Sequence, residues 1–293
     1  MNTLRRVSLL LLLVACGSSR TSTPTPTPSG AAGSAAAPTV SPAATGPLSE
    51  DAFKALHELR VEAAPARRGQ AIELAGGRAY LSLPPGATGP VPAVVVIHEW
   101  WGLNGHIEHW ADRLASAGFA ALAVDLYGGV VATDRDQAMA AMKAVDDAAA
   151  ARTIGAALDF LAADPRVRAP RRAVIGWCFG GGWALRTALT RADLDAAVIY
   201  YGQLETDPAV LGTIKAEVLG IFGDRDQGIP VAEVEAFAAG MSKVGVRHQI
   251  ARYDAEHAFA NPSGPRYDQA DAADAWAKAL AFLSRTLTPA PAR

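Results

Sequence analysis

The chain of 293 residues reads as an α/β protein whose mostly parallel, doubly wound sheet is flanked by helices. Short, continuous apolar runs such as Ala93-Val94-Val95-Val96-Ile97 suit strands buried on both faces. These runs alternate with segments whose apolar residues recur at helical spacing, the pattern of strand and crossover helix. About 240 residues follow an atypical N-terminal stretch, a length that one such domain commonly takes.

In order, Ser49 to Arg60 carries Phe53, Leu56 and Leu59 at helical spacing, and Gln70 to Leu83 reads as a hairpin turning at Gly76-Gly77. The strand at 93–97 is followed by a helix marked by Ile107, Trp110 and Leu114 and ended by Gly118. A second buried strand, Ala120 to Val124, leads into Asp125-Leu126-Tyr127-Gly128-Gly129. The alanine-rich stretch from Asp134 to Ala163 is helical with a break near Asp146-Asp147. A strand ending in Ala173-Val174-Ile175 then enters Gly176-Trp177-Cys178-Phe179-Gly180-Gly181, with a helix behind it. Strands Ala196 to Tyr200, Val218 to Phe222 and His248 to Tyr253 follow, with a helix over Val231 to Lys243 and a last one from Tyr267 to Leu283.

The N-terminus has another logic. Arg5-Arg6, the apolar run Val7 to Val14 and the small Ala15 make a bacterial export signal, too short to span a bilayer. Its end, Leu13-Val14-Ala15-Cys16-Gly17, is similar to a lipobox, in which Cys16 is lipidated and becomes the new N-terminus; an ordinary cleaved signal is the alternative. Gly17 and Ser18 lack the aspartate that retains such proteins at the inner membrane, so the expected site is the cell envelope, at the outer membrane if Gram-negative. Arg5-Arg6 also raises a twin-arginine export route. Residues 17–47, rich in Ser, Thr, Pro and Ala, have too little apolar surface to offset ordering and read as a tether, and the folded domain spans 48–290.

Half the residues are hydrophobic and the formal net charge is −2, so a core is available and no basic patch argues for nucleic acid. There are two cysteines. With Cys16 given to lipid, Cys178 has no disulfide partner and is flagged as a reactive thiol.

Cys178 sits where a nucleophile elbow would put it. Small residues two before and two after are needed where strand and helix backbones crowd, and a helix N-terminus favours thiolate. A buried structural cysteine in a glycine-rich turn is the plain alternative. A thiol nucleophile needs a base, and the base an orienting acid, on separate strand-end loops in the order nucleophile, acid, histidine. After the elbow the chain offers Phe222-Gly223-Asp224-Arg225-Asp226-Gln227-Gly228-Ile229-Pro230 and then Tyr253-Asp254-Ala255-Glu256-His257-Ala258-Phe259. His257 is at the site's end of its strand, whereas His248 is at the other end. Asp226 is favoured over Asp224, and either could instead cap its own turn. His98-Glu99-Trp100-Trp101-Gly102-Leu103-Asn104 follows the first buried strand, so the backbone N–H groups of Trp100 and Phe179 are the expected oxyanion donors. Glu99 would sit near the thiol with a raised pKa, or else in an ion pair at the strand end. Trp100, Trp101, Trp177, Phe179 and Phe259 are candidates for an apolar pocket mouth, with a place in the core the alternative for each.

These four motifs, Gly-x-Cys-x-Gly-Gly, His-Glu-x-x-Gly-Leu-Asn, Gly-x-x-Asp-x-x-Ile-Pro and Tyr-x-x-x-x-His-x-Phe, occur in the order found in the dienelactone hydrolase family (carboxymethylenebutenolidases), which the domain resembles from Gln70 to Leu283. The resemblance implies an α/β-hydrolase fold and a Cys178, Asp226, His257 triad, and its spacing selects Asp226. It also implies that Glu99 restrains proton exchange of the thiol until substrate displaces it. Dienelactone-cleaving members carry Ser and Arg where this chain has Ala258 and Asn261, and the family's other carboxylate-binding arginine has only Arg135 as a candidate. The expected substrate is therefore an ester or lactone less anionic than a dienelactone. No metal or organic cofactor is expected, and the domain is expected to be a monomer. A fold-retaining protein without turnover, or one whose thiol responds to oxidation, is the alternative. His106, Glu108 and His109 lack a third convincing partner for zinc, and Gly176 to Gly182 lacks the lysine of a phosphate loop.

Overall fold

The computed structural model describes residues 67–288, except 75, 76 and 88. The export signal, Cys16, the tether, the helix expected at Ser49 to Arg60 and the turn residue Gly76 lie outside the described residues. The elements are β1 (Gln70–Leu74), β2 (Gly77–Ser82), β3 (Ala93–Ile97), α1 (Gly105–Ser116), β4 (Ala120–Val124), α2 (Arg135–Ala144), α3 (Asp147–Ala163), β5 (Arg172–Trp177), α4 (Phe179–Thr190), β6 (Ala196–Tyr200), α5 (Pro208–Leu211), β7 (Glu217–Gly223), α6 (Val231–Lys243), β8 (His248–Tyr253) and α7 (Gln269–Leu287).

The eight strands form one sheet in the order β1-β2-β4-β3-β5-β6-β7-β8. The β1–β2 hairpin and the β2–β4 pair are antiparallel, and all later pairs are parallel. Strands β3, β4 and β6 are buried at every residue, as expected of strands covered by helices on both sides. Alternate residues feed two cores. Val95, Ile97, Leu122 and Val174 pack with Ile154 and Leu158 of α3, Leu185 of α4 and Phe237 of α6. Val94, Val96, Ala173 and Ile175 pack with Ile107 and Trp110 of α1 and Trp276 and Phe282 of α7.

Local chemistry accounts for the helix ends. Asn104, Asp134, Asp146 and Asp268 each accept a backbone N–H of the helix that follows, as N-caps do. The cap at Asp146 is why the alanine-rich stretch breaks where it does, with Val145 extended between α2 and α3. The last helix departs from its expected span. It begins after the Asp268 cap, not at Tyr267, and runs on to Leu287 because Thr286 and Leu287 still belong to its buried face.

At β3 the winding of the sheet changes side: the chain leaves β3 for β4 on one side and later returns to β5 on the other, all three strands parallel. Such a switch opens a crevice beyond the carboxyl ends of the strands. The loops after β3 and β4 flank that crevice on one side, those after β6, β7 and β8 on the other, and the turn from β5 into α4 stands between.

Candidate active site

Cys178 is the residue between β5 and α4, with φ 53° and ψ −115°. Left-handed φ is costly for a residue with a side chain and persists only where surroundings enforce it. Here they do: its N–H donates to Tyr200 O (3.0 Å), and the flanking backbones touch. A Cβ on Gly176 would lie 2.1 Å from Gly180 O, and one on Gly180 would lie 2.2 Å from Ile97 O. Only glycine fits either position, so strand, turn and helix close tightly enough to lift the thiol into the crevice. Cys178 is half-buried and free.

His257, in the loop after β8, reaches the same place. Its Nδ1 lies 2.7 Å from Asp226 Oδ2, and the ring is near enough to Cys178 for the sulfur to favour the imidazolium. Burial disfavours the imidazolium, but Asp226 and Cys178 outweigh it and raise its pKa to about 10. Asp226 is buried, and its Oδ1 accepts the N–H groups of Gly228 (2.7 Å) and Ile229 (3.2 Å), leaving Oδ2 aimed at the ring. Asp224 is turned away and accepts Arg252 Nε at 2.6 Å. His248 Nδ1 meets Val246 O (2.8 Å) at the far end of β8.

Glu99 makes no ion pair with Arg or Lys among the described residues. It is 4% exposed, its Oε1 accepts Tyr201 Oη–H (3.3 Å) and its Oε2 accepts Asn261 Nδ2–H (2.6 Å). Burial raises its carboxyl to about 7, against the opposing pull of His257 and of the two donors. An unfolded glutamate loses its proton near 4.5 and this one near 7, so between those values the folded state binds more protons and stability falls as pH rises. Glu99→Gln should therefore be more stable than wild type above pH 7, by about 3 kcal/mol, with the gap closing below about pH 4.5. Urea midpoints at pH 8 and pH 4 check this; a gap that does not change with pH contradicts it.

The loop after β3 also carries Trp100, three residues past the end of that strand. Phe179 is the first residue of α4, where N–H groups have no acceptor within the helix. His98 stitches this loop to the next one. Its Nδ1 meets Glu99 O (2.6 Å) and its Nε2 accepts Leu126 N–H (3.1 Å), while complete burial lowers its pKa to about 4 and keeps it neutral. Trp100 and Trp101 are half-buried with ring centroids 5.0 Å apart, and Phe179 is half-buried against His98. Trp177 and Phe259 are not at the pocket mouth. Trp177 is 1% exposed and stacks between Trp110 (4.9 Å) and Tyr200 (5.3 Å), and Phe259 is fully buried against Tyr253 (5.1 Å), because both side chains face the α1–α7 layer.

Tyr201, Asn261, His98 and Tyr127 are site residues that motif reading passed over or used only as a departure. Tyr201 has φ 36°, and its ring lies 5.2 Å from that of His257. Position was the available signal for three of them: His98, Tyr127 and Tyr201 each stand within three residues of the carboxyl end of a buried strand. Of the residues considered for metal, His106 Nε2 accepts Trp110 Nε1–H (3.2 Å), and Glu108 pairs with Arg67 (2.8 Å). Arg135 is exposed at the start of α2.

Residues 78–287 match the model of the dienelactone hydrolase family. The chain belongs to that family. It is accordingly a hydrolase of the ester and lactone type. A protein of Methylorubrum extorquens assigned as a carboxymethylenebutenolidase is 31% identical over 213 residues, 68% of this chain and 73% of the relative. Among solved structures, a dienelactone hydrolase-like promiscuous phosphotriesterase from metagenomic libraries is 31% identical, with a TM-score of 0.69 over 75% of this chain and 98% of that one. A Klebsiella pneumoniae protein assigned as a dienelactone hydrolase is 27% identical, with a TM-score of 0.68 over 74% and 98%. The shared architecture is the α/β-hydrolase fold, here with the antiparallel β1–β2 edge of an otherwise parallel sheet.

Proposed function

We propose that this dienelactone hydrolase family member cleaves uncharged esters or lactones through Cys178, His257 and Asp226, by way of an acyl thioester. The observation that carries the reading is the His257 ring, hydrogen-bonded to Asp226 and close enough to Cys178 to feel its sulfur, beside a strained elbow. In its thiolate form Sγ attacks the carbonyl carbon; the C–S bond forms and the π pair moves onto oxygen. The Trp100 and Phe179 amides receive that oxyanion. Its collapse breaks the bond to the leaving alkoxide, which takes a proton from His257 Nε2. Water then attacks the thioester, His257 accepts its proton, and the thiolate departs with the acid released. Asp226 holds Nδ1–H throughout and steadies the charged ring.

The neutral substrate follows from what surrounds the thiol. Ala258 beside the base is uncharged, and Asn261 is occupied by Glu99, so neither offers a cation to a carboxylate. The rim is apolar: Ala132 N–H donates to Trp101 O (3.0 Å), which brings Val130 and Val131, 47% and 46% exposed, alongside the Trp100–Trp101 pair. Neutral short-chain aryl esters should be hydrolysed with kcat/KM at least about tenfold above matched esters bearing a carboxylate, since an unpaired buried charge costs more than a kcal/mol. A panel of such pairs checks this, and a preference for the anionic member refutes the substrate assignment while leaving the triad intact.

The N-terminal residues support an envelope location, with Cys16 lipidated and the domain held on a Pro-rich tether. Expressed in a bacterium that processes lipoproteins, wild type should enter the detergent phase on phase separation, and Cys16→Ser should not. Equal partitioning of the two would remove the anchor.

A further inference from the structure

Tyr127 stands three residues past β4, on the side of the nucleophile away from His257. Its backbone is fixed by Asp125, whose carboxylate accepts the N–H of Tyr127 (2.8 Å) and that of Gly129. Its ring packs edge-on against His98 (4.6 Å) and tilted against Phe179 (5.4 Å), so it touches both segments that carry the oxyanion amides. The side chain is buried, with the residue 8% exposed, yet its hydroxyl has no hydrogen-bond partner among the described residues. Buried hydroxyls without partners are uncommon and costly, so one kept next to a reactive group points to an acceptor that arrives later.

The sheet order indicates which acceptor. Reading across the sheet as β4-β3-β5-β6-β7-β8, Cys178 ends β5, Asp226 and His257 follow β7 and β8 on one side, and Trp100 and Tyr127 follow β3 and β4 on the other. The leaving group is protonated on the His257 side. The carbonyl oxygen is driven to the opposite side, towards Trp100, Phe179 and Tyr127.

Resting on the thioester route above, we propose that the Tyr127 hydroxyl is a third oxyanion donor, hydrogen-bonding the substrate oxygen once Cys178 has attacked. No proton is transferred: as the C–S bond forms and the π pair settles on oxygen, Tyr127 Oη–H turns to it and keeps its proton. Burial, and secondarily the Cys178 sulfur, hold the phenol well above the ordinary tyrosine value, so it remains a donor at any working pH. Tyr127 is thereby a catalytic residue that sequence motifs do not mark.

Tyr127→Phe keeps the ring, its contacts with His98 and Phe179, and the apolar wall, and removes one oxygen. On a neutral p-nitrophenyl ester kcat should fall about a hundredfold, the cost of one oxyanion donor, while KM stays within about twofold. Alkylation of Cys178 by iodoacetamide forms no oxyanion, so its rate and pH dependence should match wild type. The thermal midpoint should stay level or rise, because an unsatisfied buried hydroxyl is lost. Unchanged kcat overturns the proposal. So does alkylation that slows together with turnover, which would put the hydroxyl on the thiol, and so does a lowered midpoint, which would give it a structural partner. If wild type itself neither turns over the ester nor acylates Cys178, the underlying thioester reading fails, an outcome read from wild type alone and separate from the comparison with Tyr127→Phe.

Discussion

Cys178→Ala reduces ester hydrolysis by about a thousandfold or more while the fold and its melting behaviour stay close to wild type. The size of the loss follows from covalent catalysis: without Sγ the residual rate is that of water in a site that still offers an oxyanion pocket and bound substrate. The small structural effect follows from where the residue sits. Cys178 is half-buried at the tip of the elbow, and the close approaches that hold the turn belong to Gly176 and Gly180, which the substitution leaves alone. Alanine at φ 53° is no more strained than cysteine there. Cys178→Ser tests the chemistry more narrowly, since a hydroxyl preserves shape but is a poorer nucleophile beside the same histidine. It should retain a small, measurable rate above that of Cys178→Ala, and its residue 178 peptide should no longer be alkylated by iodoacetamide. Steady-state kinetics with circular dichroism and thermal melts separate loss of the nucleophile from loss of the fold. Wild-type turnover in Cys178→Ala would show that another group carries the reaction.

Asp226→Asn is the second large effect, a fall in kcat of about a thousandfold to ten-thousandfold with little change in KM. Asp226 Oδ2 is an acceptor 2.7 Å from His257 Nδ1, and Oδ1 is already committed to Gly228 N–H and Ile229 N–H. An amide must therefore keep its oxygen on the two backbone donors and turn its NH2 towards the ring. That orientation demands an unprotonated Nδ1, so the proton moves to Nε2 and the neutral ring can no longer accept one from water or thiol. The support that lifts His257 to about 10 is lost with it, so the histidine titrates nearer its ordinary range, as NMR of the imidazole protons would show. Asp224→Asn is the control. That carboxylate serves Arg252 on the surface, and its replacement should leave kcat within about twofold.

Much of the fold was legible because its strands are short, continuous and apolar, and because caps and glycines punctuate the helices. Strands 93–97, 120–124, 196–200 and 248–253 and the helix 231–243 occupy the spans their patterns predict, and Asp146 divides α2 from α3 where the acidic pair stands. The last helix departs from its pattern at both ends, since a cap at Asp268 and a buried face reaching Leu287 outweigh the local pattern. The candidate triad was legible from motif order, because nucleophile, acid and histidine each fall on a strand-end loop. What surrounds it was less so. Glu99 and Asn261 meet across 162 positions, and Glu99 and Tyr201 across 102, contacts that only the folded sheet creates. Trp177 and Phe259 show the opposite error: an aromatic beside a motif does not reveal which face of the sheet it takes, and both belong to the core.

Those contacts account for the raised pKa expected of Glu99. Glu99 has only neutral donors at its two oxygens, and His257 beside it; burial therefore dominates and leaves the carboxyl close to half-protonated near neutrality. A group so poised responds to small changes in charge around the thiol, such as the loss of the imidazolium proton during turnover.

The claim at the centre of this account is that an acyl group passes through the sulfur of Cys178. Rapid-quench mixing of wild type with an activated neutral ester, followed by intact-mass and peptide analysis, tests it directly. The account predicts an adduct of the acyl mass on the Cys178 peptide, released by hydroxylamine and formed and lost at rates compatible with kcat. Ester hydrolysis at the full rate with no adduct, or with the acyl group on any other residue, would contradict it.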